Sequence, residues 1–198
     1  MKILGFVDVH ADKKILQVLV NKTKNADVLI SAGDLSIFGQ GLEESLRLLL
    51  KAKKPIFLIP SNHEDAHMIE HAVRSHPLVK SLHKKIVDVG DVTFVGFGGG
   101  GFSLYEPEME DFFERVEKKL KTKKKIVFVT HAPPYNTTVD YLYWLGEHRG
   151  CKTTSNVIKH IQPALVLCGH FHETAYLEDL LGRTRIVNVG SEGTVLEI

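Results

Sequence analysis

ILGFVDVH, at residues 3–10 of this 198-residue chain, is an apolar run that ends in Asp8 and His10. A short, continuous apolar run is typical of a strand buried on both faces, as in a parallel sheet. The two polar side chains come where such a strand ends. Because ligands of open α/β sheets bind beyond the carboxyl ends of the strands, this stretch indicates both the fold class and the edge that carries a site.

The first third of the chain repeats this arrangement. Apolar runs at residues 28–30 and 55–59 predict two more strands, and helical spacing predicts helices after Asp12 and over residues 42–50. Asp12 is expected to cap the first helix, since its side chain can accept hydrogen bonds from the free N–H groups there. Strands and helices that alternate through short connections predict a parallel sheet.

The pattern changes in the second half of the chain. Strand-like runs at residues 85–89 and 92–96 flank Gly90 and Asp91, which predicts a hairpin with a tight turn. The other predicted elements are strands at residues 126–129 and 165–167, two short strands within residues 185–198, and helices at residues 108–120 and 157–161. We therefore expect an α/β fold, a four-layer α-β-β-α sandwich of two mixed sheets flanked by helices, in a single domain over residues 1–198.

The composition is that of an ordinary globular protein, with 43% hydrophobic and 25% charged residues. A formal net charge of +1 argues against general nucleic-acid binding but leaves a small anionic substrate open. Cys151 and Cys168 form no spacing motif for a disulfide framework or a zinc site, which favours a cytoplasmic location. We find no signal peptide and no membrane-spanning run, so no membrane partner is expected, and homo-oligomerisation stays open.

Polar motifs of one kind follow the predicted strands. There are five, Asp8-Val9-His10, Gly33-Asp34, Ser61-Asn62-His63-Glu64, Thr130-His131 and Gly169-His170-Phe171-His172. The strands of an open sheet direct such residues to one edge. Carboxylate, amide and imidazole side chains without cysteine suit manganese, iron, nickel or zinc, and argue against a structural zinc site. The motifs therefore predict a site for two divalent metal ions.

In this order, the five motifs resemble those of the calcineurin-like metallophosphoesterase superfamily, whose pattern is D-x-H, G-D, G-N-H-[DE], H and G-H-x-H. The glycine run at residues 98–101 and the stretch at residues 130–135 resemble the compact Icc-like branch of bacteria and archaea. The resemblance implies a phosphatase or phosphodiesterase with two divalent ions, manganese first and iron, nickel or zinc as alternatives. A hydroxide between the metals would attack phosphorus in a small phosphomonoester or phosphodiester.

The resemblance also implies a role for each matching residue. The metal ligands would be Asp8, His10 and His172 at the first ion, Asn62, His131 and His170 at the second, and Asp34 bridging both. The catalytic residues would be His63 and the adjacent Asn62. His63 would contact the substrate and protonate the leaving oxygen, a task that suits a histidine near neutral pH.

Two departures from the family pattern bear on activity. Ser61 stands where the family has a glycine, and a positive φ at this position would strain a serine. Ile37 stands where the Ser/Thr protein phosphatases have an acid that orients the histidine, which argues against that branch. Glu64 and Glu173 are both open as groups that could orient His63 instead.

Two further stretches of sequence, and the function as a whole, allow other interpretations. The literal G-x-G-x-x-G at residues 96–101 is not expected to bind a dinucleotide, because no helix opens at its end; a loop at the mouth of the metal site is favoured over a merely flexible one. The aromatic stretch at residues 135–144 fits a lid over the substrate and a core or dimer surface equally well. The functional alternatives are a non-catalytic scaffold for protein partners, disfavoured because every ligand position is filled, and a nuclease subunit, disfavoured by the short length and near-neutral charge.

Overall fold

The computed structural model describes residues 1–198, which form five α-helices and two large sheets. The helices are α1 (Lys13–Lys22), α2 (Leu42–Leu49), α3 (Ala66–Ser75), α4 (Pro107–Leu120) and α5 (Lys152–Ile161). The strands are β1 (Lys2–Phe6), β2 (Val28–Ser31), β3 (Ile56–Leu58), β4 (Val79–Ser81), β5 (Lys85–Val89), β6 (Val92–Phe97), β7 (Lys125–Thr130), β8 (Tyr141–Leu142), β9 (Glu147–His148), β10 (Leu165–Cys168), β11 (Glu178–Leu181), β12 (Thr184–Asn188) and β13 (Thr194–Glu197).

The first sheet has the strand order β13-β1-β2-β3-β4. Strands β1 to β4 run parallel, while β13 pairs with β1 in the antiparallel direction. Phe6 lies opposite Ser31, which in turn lies opposite Leu58. This register ends β1, β2 and β3 at one edge, so the segments that follow them start side by side.

The second sheet has the strand order β11-β12-β10-β7-β6-β5. Its four inner strands run parallel, and the edge strands β5 and β11 are antiparallel to their neighbours. Leu167 in β10 lies opposite Val129 in β7, so these two strands also end together. The sheet therefore delivers the segments after β7 and β10 to a common edge.

Three apolar clusters separate four layers. Ile3, Phe57, Phe94 and Val127 belong to the cluster between the two sheets. A second cluster joins α1, α2 and α3 to the outer face of the first sheet, and a third joins α4 and α5 to the outer face of the second. The predicted α-β-β-α sandwich of two mixed sheets is therefore confirmed.

Most predicted elements lie within a residue or two of their observed bounds, and the side chain of Asp12 caps α1 as expected. Helix α5, however, begins at Lys152 rather than at residue 157, because its first turns bury threonine and serine, which give no apolar periodicity. Strands β4, β8, β9 and β11 were not predicted, since they are short or, in β11, start with acidic residues. None of the helices has the length and apolar composition needed to cross a membrane.

Candidate metal centre

Backbone hydrogen bonds hold together the segments that leave β1 and β2. The N–H group of Asp8 donates to the carbonyl of Gly33 at 3.2 Å, and the N–H group of His10 donates to the carbonyl of Asp34 at 2.9 Å. The N–H group of His170 donates to Oδ2 of Asp8 at 3.0 Å, which joins the two sheets at the same place. The three segments therefore fix each other at one edge of the sandwich.

The backbone at this edge is strained. The φ angles are 53° at Asp8, 50° at His10, 52° at Asp34 and 70° at His170, all in the left-handed region that non-glycine residues rarely adopt. Each such residue costs about 1–3 kcal/mol, and conformations of this kind persist where the surrounding structure imposes them, often at functional sites. Four such residues at one edge indicate that the backbone here is arranged to place the side chains, at the expense of folding stability.

The carboxylate of Asp34 lies at the centre of the predicted ligands. Its Oδ2 atom is 3.9 Å from Nε2 of His10, 3.9 Å from Nε2 of His63 and 3.7 Å from Nε2 of His131. Oδ2 of Asp8 lies 3.9 Å from Nε2 of His172. These separations leave room for cations between the groups.

His131 presents a lone pair to this centre. Its Nδ1 atom lies 2.9 Å from the carbonyl oxygen of Ala32, so the neutral ring carries its hydrogen there and the Nε2 lone pair is free. That Nε2 atom is 2.8 Å from Oδ1 of Asn62 and 3.2 Å from Nδ1 of His170. Burial lowers the pKa of His131, and burial together with the nearby His131 lowers the pKa of His170 to about 4. Both imidazoles are therefore neutral at pH 7, the form that binds a metal.

One oxygen of the cluster is left without a partner. Oδ1 of Asp8 is buried and accepts no hydrogen bond. Burial, and next the charge of Asp34, raises the pKa of Asp8 to about 7. A divalent cation would satisfy the unpaired oxygen and offset the repulsion between the two carboxylates. The residues present therefore fit a metal centre.

The structure brings all seven predicted ligands to this edge. Ligand atoms of Asp8, His10 and His172 lie within 4.8 Å of one another, as do those of Asp8, Asp34 and His131. The set of His10, Asp34 and His63 is equally compact, so His63 borders the same centre. Asn62 and His170 join it through their contacts with His131.

Ser61 supports Asp34 and shows no strain. Its φ angle is not positive, so the strain considered for a serine at this position does not arise. Oγ of Ser61 accepts a hydrogen bond from the N–H group of Asp34 at 2.9 Å and donates one to Oε2 of Glu64 at 2.7 Å. The hydroxyl thus ties the segment after β3 to the central carboxylate.

Glu64 is a buried side chain that joins two segments of the site. Its Oε1 atom accepts hydrogen bonds from the N–H group of Ser36 at 2.5 Å and from Oγ of Ser36 at 2.6 Å. Together with the bond from Ser61, these contacts join the segments after β2 and β3. Glu64 makes no hydrogen bond to His63, so one of the two groups considered for orienting that histidine does not do so. The acidic fourth position of the third motif was the only sequence signal for this role.

The ring of His63 is held at Nδ1 by Phe38, while the N–H group of His63 donates to Oδ1 of Asp34 at 3.2 Å. The N–H group of Phe38 donates to Nδ1 of His63 at 3.3 Å, and the two rings stack with centroids 4.3 Å apart. Glu173 accepts a hydrogen bond from Nε1 of Trp144 at 3.2 Å and is not bonded to His63. A backbone donor and an aromatic ring therefore orient the imidazole of His63.

The glycine-rich loop at residues 96–101 lies against the metal centre, as predicted from the sequence. A Cβ atom on Gly101 would approach Nδ1 of His170 to 2.6 Å, and the ring of Phe102 meets that of His170 edge-on at 4.5 Å. No helix opens until Pro107, so the dinucleotide pattern has no structural basis. In the aromatic stretch, Tyr143 and Trp144 are 75% and 71% exposed, which excludes a core role for these two side chains.

Comparisons with known proteins identify the family of this chain. The family model for calcineurin-like phosphoesterases matches residues 1–174. An uncharacterized protein of Methanocaldococcus jannaschii, MJ1162, is 32% identical over an alignment of 197 positions that covers 95% of this chain and 87% of the relative.

Solved structures share the fold at low sequence identity. The protein TT1561 of Thermus thermophilus has a TM-score of 0.76 at 18% identity, covering 96% of this chain and 89% of that one. Phosphopantetheinyl hydrolase from Mycobacterium tuberculosis has a TM-score of 0.69 at 14% identity, covering 96% and 88%. A dimetal phosphatase from Danio rerio has a TM-score of 0.65 at 7% identity, covering 94% and 86%. With the matching family model and the metal-type cluster at the sheet edge, the chain belongs to the calcineurin-like phosphoesterase family and is a metal-dependent phosphoesterase.

Proposed function

We propose that this protein hydrolyses a small phosphomonoester or phosphodiester with the help of two divalent cations. One cation would be held by Asp8, His10 and His172 and the other by Asn62, His131 and His170, with Asp34 available to both. When bound, such a pair activates water for in-line attack on phosphorus and neutralises charge on the phosphoryl oxygens. Manganese is the first metal to test, and iron, nickel and zinc suit the same nitrogen and oxygen ligands.

The observation that carries the proposal is the unpaired oxygen at the centre. Oδ1 of Asp8 is buried without a hydrogen bond, beside a second carboxylate, Asp34, that faces the ring nitrogens of three histidines. A purely structural cluster would leave this oxygen unsatisfied at a cost of about 1–3 kcal/mol. Cations remove that cost and explain why strained backbone is retained around them.

The orientation of His63 gives it a defined part in the reaction. Because Nδ1 accepts a hydrogen bond from Phe38, the neutral ring carries its hydrogen on Nε2, the atom that faces Asp34. The ring can therefore donate from Nε2 to an oxygen of the substrate next to the cations. This supports His63 as the group that assists the departing alcohol.

The test combines metal content with turnover. Metal-free protein should be reloaded separately with manganese, iron(II), nickel and zinc, and assayed on p-nitrophenyl phosphate and bis-p-nitrophenyl phosphate. We expect the wild type to bind two ions and hydrolyse at least one ester, and Asp34→Asn and His131→Ala to lose metal and activity. The control is His160→Ala, since this exposed histidine in α5 bonds only to its own helix.

Two results would overturn the proposal. One is full metal content and activity in Asp34→Asn. The other is a folded protein that binds two ions but is inactive on a broad panel of monoesters, diesters and cyclic nucleotides, which would favour the scaffold alternative.

A further inference from the structure

A groove of about 650 Å³ lies between α2 and α3, beside the metal centre. We name it the α2–α3 groove. Its walls include the apolar side chains of Phe38, Leu42 and Met68 and the imidazoles of His67 and His71. The two histidines are exposed and one helical turn apart on α3, so they lie on the same face of that helix.

Phe38 is an exposed aromatic residue on strained backbone. Its side chain is 68% exposed and its φ angle is 48°, a left-handed conformation that is an outlier for a bulky residue. Backbone hydrogen bonds in both directions between Ile37 and Gln40 close the turn around it. The N–H group of Gly39 also bonds to Oγ of Ser36, which is held by Glu64. These hydrogen bonds hold the turn that presents the ring, although a residue with such a φ angle costs about 1–3 kcal/mol.

The ring of Phe38 lies between the groove and the metal centre and borders both. One face of Phe38 stacks on His63, and the residue also belongs to the wall of the α2–α3 groove. In the proposed function, His63 stands beside the departing alcohol. A group attached to that alcohol would therefore extend past His63 and into the groove.

We propose that the α2–α3 groove is a subsite for the alcohol half of the substrate and that it selects a planar heteroaromatic ring, such as a nucleobase. The inference rests on the proposed function for its phosphate end. Phe38 supplies the stacking surface and Met68 a polarisable contact. The ring nitrogens of His67 and His71 can bond to the polar edge of a base. The substrate class is then a nucleotide ester, whose base contributes affinity apart from its phosphate.

The experiment compares two ligands that differ only in the base. These are the methylene phosphonate analogues of adenosine 5′-monophosphate and ribose 5-phosphate, which lack the scissile P–O bond and so report binding without turnover. Their Kd values should be measured by calorimetry on manganese-loaded protein. Stacking of a base on an aromatic side chain predicts that the nucleotide analogue binds about 5- to 150-fold more tightly.

Variants then test whether Phe38 causes the preference for the ligand that carries a base. Phe38→Ala should abolish it, and Phe38→Trp should retain it, which separates stacking from loss of fold. Phe102→Ala is the matched control, since Phe102 is 77% exposed and touches His170 on a different side of the centre. The ratio of the two Kd values should stay unchanged in this control.

The outcomes separate the subsite from the proposed activity. Equal affinities of the wild type for both analogues, or equal losses in Phe38→Ala and Phe102→Ala, would overturn the subsite even if esters are hydrolysed. A base preference that depends on Phe38, in a protein that hydrolyses no ester, would support the subsite and contradict the proposed function. A Phe38→Ala variant that weakens both analogues equally would make the ring a support for His63 and also overturn the subsite.

Discussion

Replacing Ser61 by alanine tests whether this hydroxyl positions the central carboxylate. Ser61→Ala keeps the Cβ atom but removes the acceptor for the N–H group of Asp34 and the donor to Glu64. An unpaired buried N–H group costs about 1–3 kcal/mol, and a hydrogen bond to a carboxylate contributes about 1.5–3 kcal/mol. Because one hydroxyl makes both bonds, we expect a combined loss of about 2–4 kcal/mol in the free energy of unfolding.

Two assays measure the consequence. For a chain of this size, that loss lowers Tm by about 5–15 °C in a calorimetric scan of the metal-free protein. The shift of Asp34 should also weaken manganese binding about 10- to 100-fold, as is usual when a residue supporting a ligand is lost. The control is Ser75→Ala, which removes an exposed hydroxyl of α3 that bonds only to the carbonyl of His71.

A Ser61→Ala variant with wild-type Tm and wild-type metal affinity would show that this hydroxyl neither stabilises the fold nor positions Asp34. A lower Tm with unchanged affinity would show that Ser61 supports the fold without positioning Asp34.

Three further predictions address pH and packing. Because the pKa of Asp8 is raised to about 7 in the folded protein, its carboxyl makes the metal-free protein less stable as the pH rises from about 4 through 7. Asp8→Asn should therefore raise the Tm of the metal-free protein at pH 8 and abolish metal binding. Burial lowers the pKa of His83 to about 4, so its contribution to stability is lost as pH falls below about 6.5, and His83→Asn should flatten the decline in Tm between pH 6.5 and 4.5. Gly101→Ala should weaken metal binding about 10-fold or more, because its Cβ would meet His170 at 2.6 Å; Gly146→Ala, also at positive φ but with nothing within 4 Å, should leave metal affinity unchanged.

Local sequence patterns were sufficient for the elements that place the ligands. The run that ends at Asp8 is apolar and continuous because β1 is buried on both faces, and the same holds for the strands before Asp34 and His131. Edge strand β11 was missed because its residues alternate between exposed and half-buried positions and include two acids. Sequence patterns thus indicated the central strands and their ends, where burial is complete.

The contacts around the site depend on the tertiary structure. Ser36 and Glu64 are far apart in sequence and meet only because β2 and β3 are neighbours in the sheet. The sequence suggested an acid as the partner of His63, whereas the fold supplies the backbone and ring of Phe38. Such a partner has no signature in the sequence, since any residue can donate a backbone N–H group.

The two-metal centre is tested most directly by the anomalous-scattering map of crystals grown with manganese. We expect two peaks about 3.5–4 Å apart on either side of the Asp34 carboxylate. One peak should lie beside Asp8, His10 and His172, and the other beside Asn62, His131 and His170. A single peak, or peaks that do not contact Asp34, would contradict this arrangement.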